Sequence, residues 1–416
     1  MTDSEVWMGD KRFFLPKGFK AAGVPAGIKQ SGDPDLAVIL SDREAAAAAV
    51  FTRNAFAAAP VLYSKRVIAK NPRGLRAVVV NAGNANACTG EQGIRDAEET
   101  AALAAKALGI QPDSVFVMST GIIGVPMPME KMRRGIPEAA SRLSADGLED
   151  AARAIMTTDT VPKFASAEVR LGDAKASIVG IAKGAGMIHP NMATMLSVIT
   201  TDAAVEPDAL GRILRWAVAR SFNAVTVDGD TSTNDTVLVM ANGASGAPLL
   251  QEGTDAFRAF ADALLSVAKS LAKQIARDGE GATKMATVCV RGALSRDDAM
   301  KAAKAIANSP LVKTALFGGD PNWGRIIAAV GYSGAVVEPE KVSLRIAIGD
   351  EGSHGDLLLL ASGGRPAPFD AKAAADIFSA KEVLIEVDLG LGMEEATVWT
   401  CDLSHEYVDI NGYYHT

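Results

Sequence analysis

Histidine is scarce in this chain of 416 residues, and its four copies, His189, His354, His405 and His415, leave little room for imidazole chemistry. A hydroxyl nucleophile served by a histidine base needs one of them beside it, and only His189 stands in a glycine-rich run. Cysteine is scarcer still. Cys88, Cys289 and Cys401 are scattered, odd in number and without a CxxC pair, which supports neither a disulfide framework nor a zinc site. No metal is therefore expected, and a reducing cytoplasm is the expected compartment. No apolar run approaches the roughly eighteen residues of a membrane-spanning helix. Residues 1–6 lack the basic and apolar regions of a secretory leader, so secretion is not expected either.

Several cofactor signatures are also missing. Gly184-Ala-Gly186 lacks the third glycine of a dinucleotide fingerprint, and no glycine-rich loop ends in the lysine and hydroxyl pair of a phosphate loop. The acidic run at 228–236 has neither the spacing nor the terminal glutamate of a calcium loop. It reads as a turn that organises the core or supports a nucleophile. Asn234-Asp-Thr236 matches a glycosylation pattern that means little without a leader.

What is present is ordinary for a globular enzyme: 48% hydrophobic and 22% charged residues, in a chain long enough for more than one domain. A formal charge of −7 disfavours an extended nucleic-acid surface, so small-molecule substrates fit better. Strand-like and helix-like segments alternate, an α/β rhythm. Residues 76–80 read as a buried strand followed by a Gly/Asn-rich loop and a helix over 94–108 stopped by Gly109. Further helices are expected over 208–222, 255–277 and 297–308, the second with Phe257, Phe260, Leu264, Leu271 and Ile275 near one face. Strands are expected over 115–118, 286–290, 342–348, 383–389 and 396–401. Residues 145–154 and 243–253 read as softer connections.

The stretch from Lys183 to Asp202 carries the chemistry. Its core, Ala193-Thr194, places a small residue before a threonine, a pattern suited to a backbone cut that would make Thr194 an amino terminus. An α-amine has a pKa of roughly 7.7–8, so such a threonine carries nucleophile and base together and needs no histidine. The plainer reading makes 192–199 a buried apolar strand. An acyl-transfer nucleophile also needs oxyanion donors. Thr120-Gly121, in a turn after the strand at 115–118, offers a hydroxyl and a backbone N–H that glycine lets a ligand approach. Lys183 is a compact cation for a carboxylate or one solvated lysine among many, and Glu280 an acceptor for an ammonium or plain surface charge.

The run Lys183-Gly-Ala-Gly-Met-Ile with Pro190-Asn-Met-Ala-Thr-Met-Leu196 and Thr200-Thr-Asp-Ala203 closely resembles the self-cleaving ornithine acetyltransferase family of arginine biosynthesis. Other stretches in the same order carry the likeness along nearly the whole chain. They are Pro16-Lys-Gly-Phe-Lys-Ala-Ala-Gly-Val24, Val80-Asn-Ala-Gly-Asn-Ala-Asn-Ala-Cys-Thr-Gly90, Ser119-Thr-Gly-Ile-Ile-Gly124, Thr157-Thr-Asp159, Asp228-Gly-Asp-Thr-Ser-Thr-Asn-Asp-Thr236 and Lys313-Thr-Ala-Leu-Phe-Gly-Gly-Asp-Pro-Asn-Trp-Gly-Arg325.

The resemblance implies cleavage between Ala193 and Thr194 into chains 1–193 and 194–416, Thr194 as nucleophile and Thr120 with Gly121 as oxyanion hole. It implies substrate contacts from Thr157, Lys183, Thr194, Glu280, Asn411 and Thr416, and transfer of acetyl from N2-acetylornithine to glutamate. Acetyl-CoA is a possible co-substrate, and no other cofactor is implied. The implied fold is a two-sheet αββα core between helices, residues 1–285, then a smaller α/β domain, 286–416. Two copies of each processed chain are expected to assemble as α2β2. A self-processed aminopeptidase or amidohydrolase of the same fold is the alternative within the enzyme class, and an uncleaved binding protein the alternative outside it. Tyr413-Tyr-His415 departs from the family pattern without touching the nucleophile.

Overall fold

A computed structural model describes residues 14–189, 195–351 and 356–413, and the backbone of 6–7. Two compact units divide the described residues, one formed by those up to Asn223 with Asp230–Ile275 and the other by Ala224–Gly229 with those from Ala276 onward. The division falls inside the last turn of a long helix, ten residues before the expected boundary at 286. Residues 224–229 join the second unit because Thr226 N–H donates to Trp399 O at 3.0 Å and Val225 bridges Trp399 within that unit's sheet.

The first unit is built on strands β1 (Val6–Trp7), β2 (Phe19–Val24), β3 (Leu36–Phe51), β4 (Leu75–Asn84), β5 (Val115–Ile122), β6 (Lys163–Leu171), β7 (Ala174–Lys183), β8 (Leu196–Thr201) and β9 (Thr236–Ala241). Its helices are α1 (Ala59–Lys70), α2 (Gly90–Leu108), α3 (Met129–Ser141), α4 (Leu148–Ala154), α5 (Pro207–Val218) and α6 (Asp255–Arg277). Strand order is β1-β6-β7-β8-β9-β3-β4-β5, with β2 paired to β3. The sixteen-residue β3 serves two sheets. Its first half pairs with β2 and β4, and after a register shift between Leu40 and Ala45 its second half pairs with β9.

Alternation along the strands shows the layering. Val179, Ile181, Leu196, Val198, Leu238 and Met240 join one core with Val78, Val80, Phe116 and Met118 of the other sheet and with the inner faces of α2 and α3. The opposite face of β7 meets α6, where Leu271 and Val267 lie 2.8 and 3.2 Å from where a side chain at Gly180 would begin. This is the expected α/β core of two sheets between helices. In α6, Phe260, Leu264, Leu271 and Ile275 are buried on one stripe while Phe257 is half-exposed. The stretch expected as a soft connection at 145–154 instead contains α4, whose Leu148, Ala151, Ala152 and Ala154 are buried.

The second unit holds β10 (Met285–Ala293), β11 (Ser343–Ile348), β12 (Leu358–Ser362), β13 (Arg365–Pro366), β14 (Glu382–Asp388) and β15 (Glu394–Cys401), in the order β13-β12-β11-β14-β10-β15. Helices α7 (Arg296–Asn308), α8 (Pro310–Gly318), α9 (Trp323–Gly331), α10 (Ala371–Ser379) and α11 (His405–Tyr413) accompany it. One face packs Val288, Val290, Ile385 and Val387 against the alanines of α7; the other carries Cys289 and Leu384. Among the described residues, no helix is long and apolar enough to cross a membrane.

Candidate active site

Strands β4 and β5 run parallel and side by side, Asn81 opposite Ser119, Ala82 opposite Thr120 and Gly83 opposite Gly121. Thr120 and Gly121 therefore lie in the last residues of a strand, not in a turn beyond it as the sequence suggested. The missing side chain at Gly121 explains the difference. Gly121 has φ +132°, and a Cβ there would stand 2.3 Å from Gly83 C and 2.5 Å from Asn84 N, so pairing continues only because position 121 has no side chain. Two asparagines at the end of β4 hold the pairing. Ser119 Oγ donates to Asn81 Oδ1 at 2.6 Å, Asn81 Nδ2 donates to Asn84 O at 2.8 Å, and Asn84 Nδ2 reaches Val125 O at 3.1 Å.

Lys183 ends β7, buried, and its Nζ donates to Thr120 Oγ1 at 3.3 Å. The structure thus brings two expected site residues into contact. Thr157 is half-buried, and its N–H donates to Asp159 Oδ2 at 3.0 Å. Asp159 is the residue the sequence reading passed over. Its other oxygen accepts from Lys163 Nζ and from Gly184 N, each at 2.6 Å, so one carboxylate fixes both the Thr157 backbone and the chain next to Lys183. Burial would raise its pKa, but the charges of Lys163 and then Lys183, with the Gly184 and Lys163 hydrogen bonds, hold it down to about 2. The signal was present in Thr157-Thr-Asp159 followed by a lysine four residues on. Lys29 is a second omission: burial lowers its pKa against the opposing pull of Asp35, Asp33 and Asp159, and Lys183 lowers it further.

Residues 231–236 supply the rest of the frame. Thr231 Oγ1 donates to His189 O at 3.0 Å, Thr236 N–H to Met195 O at 3.0 Å, and Asn234 Nδ2 to Ala85 O and Ser119 O at 2.6 and 2.8 Å. Asp235 is buried with Oδ2 unpartnered among the described residues. Burial pushes its pKa well above the ordinary carboxylate value despite the opposing influence of Ser232, Lys183, Thr52 and the Met195 N–H. Ala193, Thr194 and Thr416 lie outside the described residues. The strand expected at 192–199 begins, as described, at Leu196.

In the second unit, Glu280 is buried in the turn after α6 and accepts from Asn411 Nδ2 of α11 at 2.7 Å. Asp402 braces that turn, accepting from Thr283 N at 2.8 Å and Lys284 N at 3.1 Å, and Ser404 Oγ donates to Gly281 O at 2.6 Å. Glu280 and Asn411 are thus one hydrogen-bonded pair. Among the described residues, no group of three or more His, Cys, Asp or Glu side chains is placed to hold a metal.

The ArgJ family matches residues 20–416. The arginine biosynthesis bifunctional protein ArgJ of Symbiobacterium thermophilum is 54% identical over 404 residues, spanning 96% of this chain and 98% of that protein. The mitochondrial protein of that name from Yarrowia lipolytica is 46% identical over 423 residues, spanning 99% and 97%. A crystal structure of the arginine biosynthesis bifunctional protein from Bacillus halodurans aligns with a TM-score of 0.50 at 42% identity, covering 53% of this chain and all of that one. The chain is a member of the ArgJ family.

Proposed function

We propose that this protein is an arginine-biosynthesis acetyltransferase that moves acetyl from N2-acetyl-L-ornithine to L-glutamate through Thr194. The observation that carries the reading is the Lys183 Nζ contact with Thr120 Oγ1 beside Gly121. A hydroxyl oxygen that accepts from a lysine turns its own proton elsewhere and donates more strongly, as an oxyanion hole requires.

Maturation comes first. Thr194 Oγ attacks the Ala193 carbonyl, the bond to Thr194 N breaks as that nitrogen takes a proton, and the acyl group rests on Oγ as an ester. Water hydrolyses the ester, leaving a carboxylate at Ala193 and a free α-amine at Thr194. In turnover that amine accepts the hydroxyl proton while Oγ attacks the acetyl carbonyl. The Thr120 hydroxyl and the Gly121 N–H receive the oxyanion, and ornithine departs with the returned proton. Glutamate then attacks the acetyl ester through its own amine, the bond from the acetyl carbon to Oγ breaks, the amine's proton returns by way of the α-amine to Oγ, and N-acetylglutamate leaves the free threonine behind. Lys183 supplies positive charge for a substrate carboxylate, Glu280 receives the ornithine ammonium, and Thr157, Asn411 and Thr416 complete the contacts.

Relatives named as bifunctional support a second activity, acetylation of glutamate from acetyl-CoA. The working assembly is α2β2, in the cytoplasm. Denaturing intact-mass measurement should give two species, residues 1–193 and 194–416, and Thr194→Ala should stay whole and inactive. Release of acetate at equal rates with and without glutamate would indicate a hydrolase instead, and an uncut, fully active Thr194→Ala would rule the nucleophile out.

A further inference from the structure

We propose that Asn234 is a positioning residue for acyl transfer: its side-chain amide orients the peptide that leads into Thr120-Gly121. The inference rests on the oxyanion role given to that pair. Asn234 is buried, and both amide hydrogens are used, one on Ala85 O at 2.6 Å and one on Ser119 O at 2.8 Å. Its Oδ1 accepts from Thr233 Oγ1 at 2.6 Å, which fixes the amide's rotation. Ser119 O belongs to the same rigid peptide plane as the Thr120 N–H, so gripping that oxygen sets the direction in which Thr120 leaves the strand. Ala85 lies on the other side of the same feature, its N–H donating to Ile122 O at 2.9 Å. One side chain thus clasps β5 just before Thr120 and the loop that flanks the strand just after Gly121.

The segment that carries Asn234 has a second grip. Thr231 holds His189 and Thr236 holds Met195, the described residues on either side of 190–194. The backbone of 231–236 therefore ties the oxyanion strand to both flanks of the cleavage stretch. Oxyanion donors act only when placed within a fraction of an ångström of the developing charge, so a tilted Ser119–Thr120 peptide costs rate without costing substrate affinity.

The test is a double-mutant cycle on the full-length, self-processed enzyme, with intact mass reporting cleavage and N2-acetylornithine and glutamate as substrates. Thr120→Ala should lower kcat by about 10²–10³. Asn234→Ala should lower it by about 10–10² with KM for acetylornithine within about twofold. Because Asn234 acts through the hole, the combined loss should fall well short of the product of the single losses. Asn234→Ser, which keeps one donor, should sit between wild type and Asn234→Ala. Losses that multiply, a defect confined to KM, or an undiminished kcat in Asn234→Ala would overturn the assignment; so would failure of both Asn234 variants to fold, which would make the residue a support of the core. An unimpaired Thr120→Ala would instead overturn the oxyanion reading itself.

Discussion

Two buried aspartates of the first unit, Asp159 before β6 and Asp235 before β9, meet the same desolvation and answer it in opposite directions. Asp159 has Lys163 and Gly184 on one oxygen and Thr157 N–H on the other, and its pKa falls to about 2. Asp235 leaves Oδ2 unpartnered among the described residues, and burial drives its pKa up. Depth therefore does not decide charge. What decides it is whether the chain sets opposing charge beside the carboxylate, as Lys163 and Lys183 do for Asp159, whereas the hydrogen bonds to Asp235 and the one charge of Lys183 do not outweigh its burial. One region has an anion that organises Thr157 and the Lys183–Gly184 backbone; the other has a carboxyl that the interior favours in its neutral form, against Met195.

The largest test of that contrast is to remove the Asp159 carboxylate. Asp159→Ala leaves Lys163, whose side chain is fully buried, without its carboxylate, and breaking such a pair costs about 3–5 kcal/mol. A large fall in Tm and loss of transfer are expected. Adding Lys163→Met should restore much of the stability and little of the activity, because the hydrogen bonds to Thr157 and Gly184 remain missing. If Asp159→Ala alone keeps wild-type Tm, the pair does not support the fold. A smaller effect appears on acidification. With a folded pKa of about 2 and an unfolded value near 3.9, Asp159 contributes stability that is complete above the unfolded value and lost as pH falls through the folded one. The contribution is on the order of 2–3 kcal/mol. Tm measured from pH 5 down to 2 should fall more steeply in wild type than in Asp159→Asn/Lys163→Met; equal slopes would place the acid lability elsewhere.

Much of this was legible before any coordinates. The family resemblance singled out Thr120-Gly121 and Lys183, which composition and spacing alone left open, and α6 was readable from its apolar stripe because helix period survives in sequence. What was hidden depended on pairing at a distance. Glu44 and the five alanines after it have helix-forming composition, yet residues 46–51 are strand because β9 is there to receive them. The Asp159–Lys163 pair was legible in its spacing, but the hold of Asp159 on Gly184 and the role of Asn234 were hidden. Both stood inside noticed motifs, but their partners Gly184, Ala85 and Ser119 are 25 to 149 positions away, and no local pattern encodes a hydrogen bond to a distant carbonyl. Thr120-Gly121 was misplaced in a turn for the same reason, since the strand continues there only because Gly121 has no side chain to meet the backbone of Gly83 and Asn84 across the pairing.

The subtlest test falls on Asp235. A carboxyl whose folded pKa lies above its unfolded value binds its proton more tightly in the folded state, so its contribution is fully present below the unfolded value and lost as pH rises toward the folded one. Each pH unit across that interval costs about 1.4 kcal/mol until the folded group ionises or its neighbours relax around it. Asparagine keeps the shape and carries no charge at any pH. Asp235→Asn should therefore match wild type at pH 4 and exceed it at pH 8, read as a Tm difference that grows with pH. The Ser232 hydrogen bond and then the positive charge of Lys183 oppose the raised pKa, since both favour the ionised form. Should the variant be less stable than wild type at pH 8, the carboxylate is ionised and usefully paired there, and the two aspartates differ in degree and not in kind.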